Sequence, residues 1–449
     1  MRKINVHRFC EDARFTRLHA IVLSLCTLVI IFDGYDLAVA GIALPSIMAE
    51  MGIKATSAGF MVSSALFGMM FGAVFFGTIA ACVLLFSMFT AAAGYTKDPV
   101  TFGVFRFIAG LGIGGVMPNV VAQMSEYSPR RIRSTMVTLM FSGYSIGGML
   151  AALVGKGMIE RFGWQSVFIA AGLPVLVIPF VFWLMPESMA FLVRSGRTQA
   201  LQAILARLVP AHEPKHDDRF VLSDDEAAGS AAIGKLFQNG RALGTVMLWT
   251  AFFMCLFMVY ALSSWLTKLM AGAGYTLGSA LTFVLVLNFG AMIGAIAGGW
   301  LADRFNINRV LASMYALAAV SISLLGMYLP TWALFIVVGL AGASTIGTQI
   351  LTYAYAGQFY PSSIRSTGIG WASGVGRSGA ILGPIIIGIL VEMALPLSLN
   401  FVAIALPAVV ATIAVLVMNR SRSDESAPGQ AGAQLEIGAV TALPAAGER

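Results

Sequence analysis

Two aspartates lie in the middle of the first long apolar run of the chain, within the motif FDGYDL at residues 32–37. The run extends from about Ala20 to Ile47, and Asp33 and Asp36 are its charged residues. Residues three apart share one face of a helix. A carboxylate at mid-membrane costs about 2.5–3.5 kcal/mol on insertion scales, so both must face protein or water. Neighbouring carboxylates titrate as a unit, and we predict that this pair takes up and releases a proton. The alternative is a hydrogen-bonded pair in a vestibule without such a role.

Two arginines also lie inside apolar runs. Arg106 is about two turns into the fourth run, and we predict that it pairs with Asp33 or Asp36. The alternative is an arginine that extends to the membrane interface. Arg377 lies in the middle of the eleventh run, and its planar guanidinium suits bidentate binding of a carboxylate. We predict that Arg377 binds a substrate anion, and the alternative is a structural pair with Glu392 or with backbone carbonyls.

The composition indicates a membrane protein with many spans. Of the 449 residues, 58% are hydrophobic and 11% are charged, whereas soluble domains have about 25% charged residues. Twelve apolar runs are long enough to cross a bilayer, which takes about 20 residues; they lie near residues 20–47, 57–79, 80–96, 100–124, 136–159, 164–185, 242–267, 277–301, 310–329, 331–356, 366–391 and 396–418. The predicted organisation is a cytoplasmic N-terminus (1–19), a six-helix half (20–185), a central loop (186–241), a second six-helix half (242–418) and a disordered tail (419–449).

The net charge of +7 is interpreted as membrane topology and not as nucleic-acid binding. Lys and Arg are concentrated before the first span, in the central loop and in alternate loops, which predicts cytoplasmic termini. The four cysteines lack the spacing of metal ligands, so no metal or cofactor is expected. His212 and His216 have i, i+4 spacing, but we interpret their segment as a solvated loop. Neither a nucleophile–base pair nor a nucleotide-binding loop is present, so we expect neither an enzyme nor an ATP-driven pump.

The chain contains an internal repeat. Gly110, Gly115 and the motif IRST at 132–135 recur 232 positions later as Gly342, Gly347 and IRST at 364–367. Two parallel six-helix halves predict a substrate site between them near the midplane. Polar residues on apolar spans are candidates to line that site, although helix–helix hydrogen bonds are the alternative for each: Asn119, Gln123, Tyr144, Asn288, Gln349 and Tyr353. Trp249, Phe253 and Trp265 are candidates to stack on an aromatic ring, with lipid contact as the alternative.

The repeat also exposes an irregularity between spans two and three. Gly72 and Gly77 match Gly294 and Gly299 with an offset of 222, so about ten residues are absent from the first half after Ala80. The missing segment would correspond to the charged turn that carries Asp303, Arg304 and Arg309. We expect this change to impair a cytoplasmic gate. Charges at the ends of spans four, five and eleven are the other candidate gating residues, namely Glu126, Arg133 and Arg365. Because Arg365 occupies in the second half the place that Arg133 has in the first, we predict that these charges form a latch between the halves. The alternative is a set of charges at the membrane interface.

Several motifs resemble the aromatic acid:proton symporter family of the major facilitator superfamily: FDGYDLAVAGIALP in span one, RFIAGLGIGGVMPN in span four, EYSPRRIRST after it, PES at 186–188 and GVGRSGAILGP at 374–384. The N-terminal segment resembles the benzoate transporters of that family. The resemblance implies a twelve-helix, all-α carrier that imports a benzoate-type anion with protons. It also implies that Asp33 and Asp36 are required for transport and assigns family roles to Arg106, Glu126 and Arg377.

We therefore expect a monomeric secondary transporter of the bacterial inner membrane, with benzoate, protons and the lipid bilayer as its partners. A symporter of hydroxybenzoate or protocatechuate is the alternative within the same class. A membrane sensor that binds aromatic acids without transporting them is the alternative from a different class. The shortened connection between spans two and three favours the sensor, and the absence of a signalling domain within the sequence argues against it.

Overall fold

The computed structural model describes residues 2–5, 15–75, 78–129, 132–208, 218–221, 233–238, 240–360 and 364–440. Helices account for most of them: α1 (Arg17–Met51), α2 (Ala55–Phe75), α3 (Ile79–Ala93), α4 (Pro99–Tyr127), α5 (Arg133–Phe162), α6 (Gln165–Ala170), α7 (Ile178–Leu184), α8 (Met189–Arg194), α9 (Thr198–Leu208), α10 (Ala242–Gly272), α11 (Leu277–Arg304), α12 (Ile307–Leu325), α13 (Thr331–Phe359), α14 (Arg365–Glu392) and α15 (Leu397–Val440). Two 3₁₀ turns lie at Leu173–Val177 and Ile233–Phe237, and strands β1 (Arg2–Asn5) and β2 (Asp218–Val221) pair in parallel.

Ten of the described helices are long and apolar enough to cross a membrane. The other two predicted spans are shorter apolar segments, α3 and the segment from α6 to α7. Together they give the twelve spans of the predicted all-α fold. We call the face of the membrane at which α1 begins the N-side. Because successive spans alternate in direction, the central segment between the two halves lies on the N-side as well.

The sixth span is broken, where the hydropathy predicts one run over 164–185. α6 ends at Ala170, a 3₁₀ turn follows at Leu173–Val177, and α7 begins at Ile178. Pro174 and Pro179 explain the break, because proline has no N–H for the helical ladder and its ring crowds the preceding turn.

The last helix also differs from the prediction. Its membrane-spanning part is Leu397–Met418, but the described backbone continues as a helix to Val440, through a segment that we expected to be disordered. The predicted disorder of residues 441–449 and the loop with His212 and His216 lie outside the described residues.

The α2–α3 hairpin is ten residues shorter than its counterpart in the second half. It extends from Ala55 to Ala93, 39 residues, whereas α11 and α12 extend from Leu277 to Leu325, 49 residues. The hairpins begin at Ala55 and Leu277, 222 positions apart, and end at Ala93 and Leu325, 232 positions apart. α3 has 15 residues and is therefore about 22 Å long, less than the hydrocarbon thickness of about 30 Å.

The two halves repeat their internal packing as well as their helix order. Gly110 on α4 lies so close to the Ala65 carbonyl on α2 that a Cβ would overlap it. The equivalent pair in the second half is Gly342 on α13 and Leu287 on α11. Small residues at helix contacts are typical of membrane proteins, because they let backbones approach closely. The matching contacts support the internal repeat as a structural duplication.

The halves meet along three helix pairs: α1 with α10, α2 with α14, and α5 with α11. We call the second pair the α2–α14 seam. At its end opposite the N-side, Glu392 accepts a hydrogen bond from Thr56 N (3.1 Å) and pairs with Lys54 Nζ (3.4 Å). Further inward, Ser63 Oγ donates to Ile381 O (2.8 Å). These contacts join the halves on the side opposite the termini.

Candidate functional site

Asp36 and Arg106 form an ion pair inside the first half. Arg106 Nη1 lies 2.9 Å from Asp36 Oδ2, and both side chains are 1% exposed. Thr90 on α3 donates its hydroxyl hydrogen to Asp36 Oδ1 and accepts from Arg106 Nη1 (3.0 Å). The Arg106 guanidinium also contacts the Phe168 ring, 5.9 Å from its centroid. The network joins α1, α3, α4 and α6, so its first consequence is to hold the half together.

Asp33 has a different environment from Asp36, although the two are one helical turn apart. It is fully buried, and neither carboxyl oxygen has a hydrogen-bond partner among the described residues. The adjacent Gly34 packs directly on the Tyr144 carbonyl of α5, and the Tyr35 hydroxyl donates to Val167 O (3.0 Å). These contacts set the rotation of α1. The two aspartates therefore differ: Asp36 has ion-pair and hydrogen-bond partners, whereas Asp33 is a bare carboxyl group without a hydrogen-bond partner among the described residues.

Asp33 interacts electrostatically with Arg377 of the second half, across the boundary between the halves. Tyr144 on α5 and Tyr260 on α10 interact with both of these charged groups and with each other. Tyr353 on α13 interacts with Arg377, and its hydroxyl shares a hydrogen bond with Ser373 (2.9 Å). We call these five residues, Asp33, Tyr144, Tyr260, Tyr353 and Arg377, the central cluster.

Arg377 is half-buried and has no carboxylate within ion-pair distance in the described part of the chain. In particular it does not pair with Glu392, the structural alternative considered from sequence, because Glu392 binds Lys54 and Thr56. Its Nη1 donates to Met69 Sδ on α2, at 3.7 Å. A guanidinium group that donates to a thioether, a weak acceptor, can still bind an anion.

The other polar residues predicted to line the site occupy different places. Asn119 donates to Gly115 O (2.7 Å), and Asn288 donates to Val284 O (2.9 Å) while its amide packs on Gly148 of the first half. Gln349 is half-buried. Gln123 lies away from the central cluster, because its amide donates to Pro186 O at 2.6 Å. Of the predicted set, the structure brings Tyr144 and Tyr353 to Arg377.

The three aromatic residues considered as ring-stacking candidates also differ. Trp265 is fully buried and donates to Pro384 O (2.9 Å). Trp249 stacks on Trp371 with 6.0 Å between ring centroids. Phe253 is half-buried, and its carbonyl lies against Gly379. The rings of Trp249 and Trp265 are thus occupied by protein contacts.

The predicted gating residues lie at the N-side ends of their helices. Glu126 accepts from Ser188 Oγ (2.8 Å) and Met189 N (2.7 Å), so it fixes the start of α8 within the first half. Arg365 is exposed and donates to Tyr360 O (3.3 Å). Asp303, Arg304 and Arg309 are exposed, and Arg304 lies over the Trp300 ring. The side chain of Arg133 is not among those that the structure describes. A latch between the halves formed by Glu126, Arg133 and Arg365 therefore stays a prediction.

Sequence reasoning missed Tyr260, Thr90 and Met69. Tyr260 was detectable as a polar residue in an apolar span, like Tyr144. Thr90 and Met69 carry no comparable signal, because threonine and methionine are common on buried helix faces and their partners are 54 and 308 residues away. Among the described residues, no group of three or more His, Cys, Asp or Glu side chains is placed to hold a metal ion.

The geometry defines a site with one bare carboxyl group, one cation available to an anion and three tyrosine hydroxyls. Its members come from both halves, so any relative motion of the halves changes it. The chemistry available is uptake of a proton at Asp33 and binding of an anion at Arg377. Uptake of a proton and binding of an anion at one site are the two steps that a proton-coupled carrier needs.

Comparison with known proteins agrees with this fold. The family model described as Major Facilitator Superfamily matches residues 26–352 and 287–445. The benzoate transport protein of Acinetobacter baylyi is 45% identical over 443 residues, which cover 95% of each chain. The gallate transporter of Pseudomonas putida is 34% identical over 432 residues, covering 93% of this chain and 96% of that protein.

Among solved structures, the xylose transporter of E. coli in a partially occluded inward-open conformation has a TM-score of 0.68 at 16% identity, covering 89% of this chain and 97% of that one. At that identity the likeness establishes the fold. The relatives extend over nearly the whole length of the chain. The chain belongs to the major facilitator superfamily, within its group of bacterial aromatic-acid transporters.

Proposed function

We propose that the chain imports an aromatic carboxylate, benzoate, together with protons across the bacterial inner membrane, as a monomer with both termini in the cytoplasm. The observation that carries the proposal is the central cluster. Asp33 is a buried carboxyl group without a hydrogen-bond partner among the described residues, and it interacts electrostatically across the boundary between the halves with Arg377. Arg377 has no carboxylate within ion-pair distance in the described part of the chain. The similarity to the benzoate transport protein supports the choice of substrate.

The proposed cycle follows from the charges of the cluster. When Asp33 is ionised, its negative charge competes with a substrate anion for Arg377. When Asp33 takes up a proton from the periplasmic side, Arg377 becomes available and the carboxylate of benzoate binds to it. The loaded site then carries little net charge, which favours movement of the halves in a low-dielectric interior. Loss of the proton to the cytoplasm restores the competing charge and expels the substrate.

With the termini in the cytoplasm, the α2–α14 seam closes the periplasmic side. The pairing of Glu392 with Lys54 and Thr56 is then an outer latch that must open before substrate enters. Asp36 and Arg106 stay paired within the first half and support α1 throughout the cycle.

The first test is uptake of labelled benzoate by cells that express the chain, with and without a protonophore. We expect uptake that the protonophore abolishes. Arg377→Gln is expected to weaken benzoate binding 10- to 100-fold, because hydrogen bonds to a charged group contribute about 1.5–3 kcal/mol each. Binding is measured by calorimetry on the purified protein. Arg197→Gln, which removes an exposed arginine paired with Glu187, is the matched control.

Two outcomes would contradict the proposal. Benzoate binding without any flux would favour a membrane sensor. Equal binding by wild type and Arg377→Gln would remove Arg377 from the substrate site.

A hydroxylated benzoate is the second candidate, because the hydroxyls of Tyr144, Tyr260 and Tyr353 lie close to Arg377. Such groups can hydrogen-bond a ring hydroxyl. A site built to bind a substrate hydroxyl strongly rejects the analogue that lacks it. Competition for labelled benzoate uptake by unlabelled 4-hydroxybenzoate and gallate separates the two candidates. Stronger competition by a hydroxylated acid than by benzoate would make that acid the preferred substrate.

The short α2–α3 hairpin gives a separate prediction about rate. Inserting ten residues copied from Leu301–Val310 after Thr78 is expected to raise benzoate uptake severalfold, because it supplies the charged turn that the second half has. A ten-residue insert of Gly and Ser at the same place is the control for length alone. Equal uptake by the two inserted variants would show that the charges of the turn are not needed.

A further inference from the structure

Arg377 of the central cluster has a contact with an uncharged side chain, that of Met69. Met69, 2% exposed on α2, accepts a hydrogen bond through its sulfur from Arg377 Nη1 on α14. The contact crosses from the first half to the second. It lies further along the α2–α14 seam than Ser63 and Ile381, and so forms the innermost contact of that series.

Both partners are held firmly by their own halves. The Met69 carbonyl lies against Gly114 of α4, so closely that a Cβ there would overlap it. On the other side, Gly379 packs on the Phe253 carbonyl of α10 in the same way, and Gly376 lies near the Phe252 carbonyl. The backbones that carry the sulfur and the guanidinium are therefore fixed, and the contact reports the relative position of the two halves.

The type of acceptor matters for a residue that must bind substrate repeatedly. A carboxylate at position 69 would form a charge-assisted pair with Arg377, roughly twice as strong as a neutral hydrogen bond. Such a pair would exclude a substrate anion. With an aliphatic group there, Nη1 would have no acceptor at this position. An unsatisfied donor costs about 1–3 kcal/mol when it is fully buried, and less for the half-buried Arg377. A thioether is a weak acceptor on a flexible side chain. It therefore satisfies Nη1 only in part, and a substrate carboxylate can displace it at little cost.

We propose that Met69 is a positioning residue that occupies the anion-binding face of Arg377 in the empty carrier, is displaced by the substrate carboxylate, and thereby sets substrate affinity. This inference rests on the function proposed above. Binding exchanges one N–H···S contact for an N–H···O⁻ contact to the substrate. It also breaks the innermost contact of the α2–α14 seam, so substrate binding loosens the seam from within.

The test is a series of substitutions at position 69 with increasing strength of the acceptor: Met69→Leu, wild type, Met69→Gln and Met69→Glu. Benzoate binding is measured by calorimetry on the full chain in lipid nanodiscs. We expect Met69→Leu to lower the Kd two- to fivefold, Met69→Gln to raise it three- to tenfold and Met69→Glu to raise it more than 100-fold. A general disturbance of packing would weaken binding in every variant, so the opposite signs for Leu and Gln are the diagnostic result.

Two controls complete the experiment. Met70→Gln changes the neighbouring methionine, which is 37% exposed, and is expected to leave the Kd unchanged. Repeating Met69→Leu and Met69→Gln in an Arg377→Gln background is expected to abolish their effects, since the competition requires the guanidinium group. The Leu and Gln variants suffice if Met69→Glu does not fold.

The outcomes separate this inference from the proposed function. If wild type binds benzoate through Arg377 but the series at position 69 gives equal Kd values, or if Leu weakens binding, the role of Met69 is wrong and the transporter proposal stands. If wild type binds no benzoate, the proposed substrate fails first.

Discussion

Replacing Asp36 with asparagine is expected to lower the free energy of unfolding by about 3–5 kcal/mol, the typical effect of removing one partner from a buried ion pair. Asparagine preserves the shape and the acceptor oxygen of the side chain but removes its charge. The guanidinium of Arg106, 1% exposed and 2.9 Å from Asp36 Oδ2, would then be a buried cation without a counter-ion. Thr90 and Phe168 cannot compensate, because a hydroxyl and an aromatic ring carry no net charge.

The double variant Asp36→Asn with Arg106→Gln separates the loss of charge from the loss of shape. Both groups are then neutral and can still hydrogen-bond with each other and with Thr90. Replacement of both partners of a buried pair is often close to neutral for stability. We therefore expect the double variant to recover most of the stability that the single variant loses.

Thermal unfolding of the purified proteins in the same detergent measures this effect. Glu187→Gln is the matched control, because it removes one charge from an exposed pair with Arg197, and such pairs contribute about 0–1 kcal/mol. Equal melting temperatures for wild type and Asp36→Asn would show that Arg106 finds another partner and that the pair is not structural.

The helical organisation of the chain could be predicted from its sequence because hydropathy is a local property. Each span has to be apolar along its own length, and the glycines that recur at an offset of 232 mark helix contacts in both halves, as Gly110 and Gly342 show. The break in the sixth span was not predicted. The apolar run there is long enough, and the prolines act through backbone geometry that hydropathy does not register.

The partners of the charged side chains within the site could not be predicted from the sequence. The sequence indicates that the charged side chains inside the membrane need ion-pair or hydrogen-bond partners, but it does not identify those partners. The residues concerned are Asp33, Asp36, Arg106 and Arg377. Arg106 meets Asp36 over a separation of 70 residues, and the rotation of α1 decides which aspartate it meets. That rotation depends on Gly34 against Tyr144 and on the Tyr35 hydroxyl bound to Val167, contacts that exist only in the assembled half.

Gln123 and Glu126 illustrate the same limit. Their positions near the end of span four suggested a cavity wall and a latch, respectively. In the structure they bind Pro186 and the Ser188–Met189 segment, and thus anchor the chain where it leaves the first half. Side chains that bind a main chain 60 or more residues away leave no local pattern in the sequence.

Replacing Asp33 with asparagine is the second substitution with a large expected effect, and it should act on coupling and not on stability. Asp33 is buried without a hydrogen-bond partner among the described residues, so a neutral side chain of the same size removes no observed contact. We expect the melting temperature to be unchanged or raised. The variant cannot take up a proton, and concentrative uptake of benzoate should fall at least tenfold. Exchange of labelled for unlabelled benzoate across the membrane should persist, because exchange needs substrate binding but no net proton movement.

The pH dependence of binding gives the sharper readout. Asp33 interacts electrostatically with Arg377, Asp36, Tyr144 and Tyr260. In wild type, the proton on Asp33 removes the negative charge that competes for Arg377, so benzoate affinity should fall as the pH rises through the titration of Asp33. In Asp33→Asn that competition is absent at every pH, so affinity should be at least as high as in wild type and nearly independent of pH. Asp33→Glu keeps a titratable group at the position and should retain a pH-dependent Kd.

These expectations distinguish a coupling residue from a structural one. If Asp33→Asn lost exchange together with concentrative uptake, the carboxyl group would be needed for substrate binding or for movement of the halves. If the variant kept protonophore-sensitive accumulation, the proton would be carried elsewhere. Asp36 would not be a substitute, because removal of its charge would break the ion pair with Arg106 that joins the helices of the first half. Asp33 has no hydrogen-bond partner among the described residues and interacts electrostatically with Arg377, and this environment suits it to exchange a proton while the substrate binds and leaves.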